Sequence, residues 1–439
     1  MVELKIAAAA GDATAAIQRA IDAAHDAGGG RVVLMAGTHA GGGLRLLSGV
    51  ELNLSAGAVL EFAAGYDAYS ANVVSVIAEQ SDRAMLVAQG ARDVAVTGAG
   101  EIRAPGRAYI VGDDAEVDTF IPAKLRPRVL VFEDCAGVRL EGITIADSPM
   151  WTMHLVACSA VVVSGVKVNN DRRLPNTDGL VIDSCHNVLV ERVHIETADD
   201  GVCLKTTRRA AGIGSCDDIT VRNCTVSSQS CALKIGTESF GEVRRVVFED
   251  CAVIDSNRAL GIFSRDGGAI SDVRFSRISV ECHETADGFW GSGEALTVTV
   301  VDRRAELPAG AVTGLVVEDV TGVMEGAINL ISTAEAGITK VRMSRIALAQ
   351  RPGKLGTARR YDLRPTPADL APAAGQAGRA NAWTKGADGV VIGLVDYPGG
   401  MPGFFADGVS GLVLEGVKIT RPEGVAAGWG ETMMVVERI

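Results

Sequence analysis

Apolar and polar positions alternate along this chain in short bursts, and one eight-residue arrangement keeps returning. It runs apolar, any, apolar, two polar or small, apolar, any, apolar. It reads VRLEGITI at 138–145, VVVSGVKV at 161–168, VLVERVHI at 188–195 and ITVRNCTV at 219–226. It continues as VVFEDCAV at 246–253, VRFSRISV at 273–280, VRMSRIAL at 341–348 and LVLEGVKI at 412–419, with a weaker copy, LVVEDVTG, at 315–322. The first six starts are 23, 27, 31, 27 and 27 residues apart. Period-two alternation sends one face of a strand inward. The central pair turns the chain through a corner into a second strand. A repeat in the twenties, with two short strands in each, predicts the coils of a parallel β-helix. One coil cannot bury its inner face alone, so neighbours stack and share a core. A leucine-rich repeat would show Leu-x-x-Leu-x-Leu and a helical half, and both are missing.

Helix is expected only near the start. Asp12–His25 carries Ile17 and Ile21 on one face and runs into Gly28-Gly29-Gly30, which stops it. Such a helix would cap the open end of the solenoid, making 1–35 an N-terminal cap region. The whole of 1–439 then reads as one all-β solenoid domain, because a solenoid lengthens without adding cores. Two stretches interrupt the repeat. Residues 283–293 extend one coil, and 350–411 form a long insertion rich in Pro, Gly and Ala. Long loops on a repeat scaffold often build its binding face.

Composition agrees. There are 52 glycines and only 4% aromatic residues, as many short aliphatic strands with tight turns require. The net charge of -12 argues against nucleic acid as a partner, since its binders present a basic face. No apolar run is long enough to span a membrane. The start, Met1–Lys5, lacks the pattern of a secretory signal. The nine cysteines are odd in number and none forms a CxxC pair. Cys135, Cys158, Cys185 and Cys216 each lie three residues before a repeat, and Cys224 and Cys251 both fill its sixth position. They read as packing ladders of reduced thiols, which gives a cytoplasmic expectation, or a periplasmic or secreted one if a signal peptide has been removed.

The densest polar group is Arg172-Arg173-Leu174-Pro175-Asn176-Thr177-Asp178-Gly179, followed by Thr197-Ala198-Asp199-Asp200-Gly201-Val202-Cys203-Leu204-Lys205. Asp178 and Asp199 are 21 residues apart, close to one coil, so three carboxylates are expected on adjacent rungs. Crowded carboxylates repel, and at least one should keep its proton. An acid beside ionised partners is what glycosidic cleavage requires. Two other readings stay open on the spacing alone. Asn-Thr-Asp-Gly and Asp-Asp-Gly are good turn formers, and grouped carboxylates suit a hard cation. No histidine pair has metal-ligand spacing and no glycine loop opens a helix, so neither a histidine-held metal nor a nucleotide cofactor is expected.

At these residues the chain resembles glycoside hydrolase family 28, the polygalacturonases, and particularly its bacterial members. Asn176-Thr177-Asp178 and Asp199-Asp200 with Lys205 match the family's two most specific motifs. Similarity extends to Gly11–Asp22, Gly28–Val33, Leu47–Leu52, Gly57–Leu60, Ser148–Thr152 and Phe289–Glu294. The resemblance implies a single-stranded right-handed parallel β-helix of the pectin-lyase-like kind. It also implies an inverting hydrolase without cofactor. Asp199 would be the general acid, and Asp178 and Asp200 would position and deprotonate water. The substrate would be a pectin-derived or related oligosaccharide or polysaccharide.

The chain departs from the family pattern at two places. Cys231 stands where the family's Gly-His-Gly segment has histidine, and Gly261-Ile262-Phe263 aligns with its Arg-Ile-Lys motif. Cations that grip a galacturonate carboxylate are therefore absent at those positions, and long homogalacturonan is expected to be a poor substrate. Substrate contacts are expected instead from Asn176, Lys205, Lys234, Glu238, Arg258, Arg265, Trp290 and Glu294. A carbohydrate lyase or epimerase on the same scaffold, or a β-helix that only binds polysaccharide, remains the competing reading.

Overall fold

The computed structural model describes residues 2–115, 118–285, 289–357, 359–366, 385–424 and 426–438. The expected insertion is therefore described except for 358 and 367–384, and the coil extension except for 286–288. Two compact units are distinguishable. One comprises the chain through Ala198 with Arg208–Gly212. The other comprises Asp199–Thr207 with the chain from Ile213 onward.

In the first unit three ladders of parallel strands run side by side in sequence. One joins Val2–Ile6, Gly30–Leu34, Val50–Leu54, Arg92–Gly98, Ala136–Glu141, Ser159–Ser164 and His186–Glu191. Another joins Gly37–Gly41, Ala58–Phe62, Glu101–Arg103, Thr144–Ala146, Lys167–Asn169 and His194–Thr197. The third joins Leu44–Arg45, Ser81–Gln89, Arg128–Glu133, Met153–Val156 and Leu180–Asp183. The helix Thr14–Asp26 buries Ile17, Ile21 and Ala24 and ends at Gly28 and Gly29, both with positive φ. It matches the expected capping helix within two residues at each end.

The second unit repeats the scheme. Cys216–Arg222 and Val243–Glu249 pair, as do Thr225–Ser228 and Ala252–Ser256. From the next coil the two strands fuse into one long strand per coil, at Ile270–Cys282, Val312–Met324, Ile338–Gln350 and Val409–Thr420. Its third sheet stacks Val202–Thr206, Cys231–Ser239, Arg258–Ser264, Leu296–Val300, Ile328–Ser332, Phe404–Asp407 and Met434–Glu437.

The sequence repeat is the corner between the first two sheets of each coil. Val138, Val161 and Val188 are register partners, and so are Val273, Leu315, Val341 and Leu412. The weaker copy at 315–322 therefore sits in full register. The fifth repeat position has left-handed backbone in every copy, with φ from +53 to +76 at Gly142, Gly165, Arg192, Asn223, Asp250, Arg277, Asp319, Arg345 and Gly416. An L residue there costs about 1–2 kcal/mol. Exposed pairs such as Arg277–Asp250 and Arg345–Asp319 ladder along this corner. Such pairs contribute at most about 1 kcal/mol, so the fully buried Val, Ile and Leu inside the corner hold it.

The third sheet escaped the repeat because it does not alternate. Val202–Thr206, Arg258–Ser264, Leu296–Val300 and Ile328–Ser332 are buried at every position. Strands covered on both faces lose the polar half of the pattern. Part of that cover is the insertion. Its Arg360–Asp362 pairs antiparallel with Leu394–Asp396, and Tyr361 and Tyr397 pack on Phe405. Its expected end, 404–411, belongs to the coils themselves, as the strand Phe404–Asp407 and the start of Val409–Thr420.

All nine cysteines are buried and reduced. Cys135, Cys158 and Cys185 each direct Sγ at a carbonyl of the preceding coil, those of Ala88, Phe132 and Leu155. This is the packing ladder that their register implied.

Candidate active site

Asp199 and Asp200 lie in the turn that leads into the strand Val202–Thr206. Asp200 is buried. Its Oδ2 accepts from Lys234 Nζ at 2.6 Å and its Oδ1 from Ser230 Oγ at 3.1 Å. Burial works against the Lys234 charge, but the facing Asp200 outweighs it and raises the ammonium pKa. Asp199 is half-buried. Its Oδ1 accepts from the Asp200 backbone N–H at 2.9 Å, and its carbonyl accepts from Ser228 Oγ at 2.7 Å. Two adjacent carboxylates thus occupy unlike surroundings, one locked in an ion pair and one more open.

Lys205, on the same strand face, donates to Glu238 at 2.6 Å. Burial opposes the Glu238 charge, but Lys205 and then Arg303 pull its carboxyl well below the usual range. Beyond it, Asp266 is fully buried and receives both nitrogens of an Arg303 fork, at 3.2 and 2.9 Å, and a bond from Arg304. The polar run Asp200, Lys234, Lys205, Glu238, Arg303, Asp266, Arg304 crosses the outer face of the third sheet. Arg303 and Arg304 were not singled out from sequence. They follow a strand that carries no alternating signal, so nothing marked them as facing this run.

Arg258 and Arg265 are placed differently from what sequence implied. Arg258 is 3% exposed, with Nε toward Glu294 at 3.3 Å and Nη2 on Asp362 at 2.6 Å. Arg265 is fully buried. It donates to the carbonyls of Leu363, Arg364 and Pro365 at 3.0–3.1 Å and also to Ser264 and Thr299. Burial, with Arg303 nearby, pushes its pKa down to about 9, which leaves it charged at neutral pH. All three guanidinium nitrogens of Arg265 are bonded to protein, which leaves that group nothing for a ligand. These two arginines fasten the inserted segment Arg360–Thr366 over the sheet. Glu294 is buried as well, accepting from Ser292 N–H at 2.6 Å. The half-buried Trp290 has Arg364 over its ring at 4.8 Å. Arg364 also bonds Asp362 and the Phe289 carbonyl, so Trp290 and Glu294 belong to the same fastening.

At the two departures from the family pattern an aromatic ring fills the space. A side chain on Gly261 would meet the Phe263 ring at 2.5 Å and Cys231 Sγ at 2.7 Å. Lys234, Arg258 and Arg265 surround that ring at 5.2–5.9 Å. Burial pushes the Cys231 thiol up to about 12, which keeps it protonated.

In the first unit Asn176 and Asp178 are buried in a tight loop. Arg126, missed from sequence, donates to the Pro149 and Pro175 carbonyls and to Asn176 Oδ1, the last at 2.7 Å. Asn170 holds the Thr177 carbonyl at 2.9 Å, and the Asp178 carbonyl accepts from Thr152 N–H at 2.8 Å. Asn176 has φ +62, and asparagine tolerates that conformation better than most residues. Its amide is committed to shaping the loop that carries Asp178. Among the described residues no group of three or more His, Cys, Asp or Glu side chains is disposed to hold a metal ion.

The profile of glycosyl hydrolases family 28 matches residues 48–357, more than half of the chain. A probable polygalacturonase from Vitis vinifera is 27% identical over 201 residues, which is 42% of this chain and 40% of that protein. The chain spans less than half the length of the curated relatives it matches. An exopolygalacturonase from Thermotoga maritima superposes with a TM-score of 0.61 at 21% identity, covering 80% of this chain and 87% of that one. A family 28 exopolygalacturonase from Yersinia enterocolitica superposes with a TM-score of 0.67 at 15% identity, covering 99% and 77%. At such identities the likeness establishes the fold, a right-handed parallel β-helix. With the family profile laid over most of its coils, the chain belongs to glycoside hydrolase family 28.

Proposed function

We propose that the protein is a glycosidase that hydrolyses a pectin-derived or related oligosaccharide with inversion. In this reading Asp199 donates a proton to the leaving oxygen, and Asp200 orients and deprotonates the attacking water. The observation that carries it is the unlike setting of two neighbouring carboxylates, Asp200 buried on Lys234 and Asp199 half-open. Divergent environments are how a carboxylate pair divides acid from base work. The polygalacturonases matched above supply the substrate class.

The fastened segment adds a limit on substrate form. Arg360–Thr366 lies over the outer face of the sheet that carries Lys234 and Phe263, held by Arg258 and Arg265. A covered stretch of sheet favours short chains or chain ends over internal sites of a long polymer.

The test is a set of uronic and neutral oligosaccharides with product analysis. Hydrolysis gives a new reducing end; a lyase gives an unsaturated product absorbing in the ultraviolet. Asp199→Asn should lower turnover at least about 10²-fold, the low end for a general acid, with little change in melting temperature. Near-normal turnover in that variant, or ultraviolet-absorbing products from the unmodified protein, would overturn the reading. Rapid loss of viscosity in long polygalacturonate would overturn the limit on substrate form.

A further inference from the structure

On the proposed reading, an anionic substrate needs a cation to meet its carboxylate, and most cations of this face are committed. Lys234 is on Asp200 and Lys205 on Glu238. Arg258 holds Glu294 and Asp362. Arg265 is spent on carbonyls and one hydroxyl. Arg303 is buried and forked onto Asp266.

Arg304 is different. Its side chain is 30% exposed. Only Nη1 is engaged, on Asp266 Oδ1, and among the described residues Nε and Nη2 find no acceptor. Its guanidinium lies 5.5 Å from the centre of the Phe240 ring. Asp266 is itself fixed by the Arg303 fork and by the backbone N–H of Ser239 at 3.4 Å. The arginine is therefore held at Nη1, and its partly exposed side chain leaves Nε and Nη2 uncommitted among the described residues. Two N–H groups along one edge of a guanidinium match the two oxygens of a carboxylate.

We propose that Arg304, set by Asp266 and Phe240, is a subsite that binds a uronate carboxylate in this protein, away from the family positions 231, 261 and 263. Phe240 is anchored by its N–H to the Thr206 carbonyl at 3.1 Å. The subsite thus stands at the opposite end of the strand Val202–Thr206 from Asp200, about 20 Å away by strand rise. It reads a sugar several units from the cleaved bond, or a branch.

The test uses calorimetric binding to Asp199→Asn protein, which blocks turnover, with trigalacturonate and its methyl ester as ligands. Trigalacturonate should bind more tightly than the ester. Adding Arg304→Gln should weaken trigalacturonate about 10- to 100-fold, the loss expected for a charged hydrogen bond. The ester should change less than about twofold on that scale. Arg304→Lys keeps the charge without the fork and should fall between. Equal binding of acid and ester, or equal weakening of both by Arg304→Gln, would overturn the proposal. Such a result would leave the hydrolase reading intact if the unmodified protein still releases reducing ends. If no oligosaccharide, uronic or neutral, is bound or cut, the hydrolase reading fails first and takes the subsite with it.

Discussion

Replacing Arg265 with Met should release the inserted segment while leaving the coils assembled. Met fills a similar volume without polar atoms. Arg265 makes three bonds to the segment, to the carbonyls of Leu363 at 3.1 Å, Arg364 at 3.0 Å and Pro365 at 3.1 Å. Bonds to a charged donor are worth roughly 1.5–3 kcal/mol each. Against them stands the cost of keeping a guanidinium fully buried, itself several kcal/mol. A net loss of about 3 kcal/mol follows, or roughly a 100-fold rise in the open form of the segment. Arg258 on Asp362 and Arg364 on the Phe289 carbonyl remain, so the segment loosens rather than detaches. Limited trypsin digestion reads this directly at the Arg360–Tyr361 bond, which lies in the paired strand Arg360–Asp362. When opening is fast relative to cutting, cleavage tracks the open population, so mass spectrometry should show that bond cut about 100-fold faster. Cleavage within twofold of the unmodified protein would refute the fastening role.

Two further outcomes are expected. All nine thiols should label only after denaturation, and the intact mass without reductant should show no bridged pair; several disulfides would contradict their burial as free thiols. Glu238 has a lowered pKa, so the stability it contributes is present above the ordinary value near 4.3 and decays as the pH falls below it. Removing its partner by Lys205→Met should move the midpoint of acid unfolding upward, and an unmoved midpoint would show that the pair does not support the folded state.

The sequence by itself determined the stacking of the first two sheets. Each coil places a corner between two alternating strands, and alternation is a local property that any single coil displays. Val138, Val161 and Val188 could be aligned by eye and are aligned in space. The capping helix was legible for the same reason, since Ile17 and Ile21 sit one turn apart and glycine ends the run. The two motifs themselves, Asn176-Thr177-Asp178 and Asp199-Asp200, were legible in the sequence.

Only the tertiary structure decided what the third sheet does. Its strands are covered on both faces, so Leu296–Val300 carries no pattern from which the orientation of Arg303 and Arg304 could be read. Nor could spacing reveal that Asp362, 104 residues beyond Arg258, would claim its guanidinium. Sequence places a charge near a site. Whether that charge is offered to a ligand or spent on a carbonyl depends on every group within hydrogen-bonding distance. For Arg258, Arg265 and Arg304 those groups come from segments far along the chain or from neighbouring coils, and folding alone brings them together.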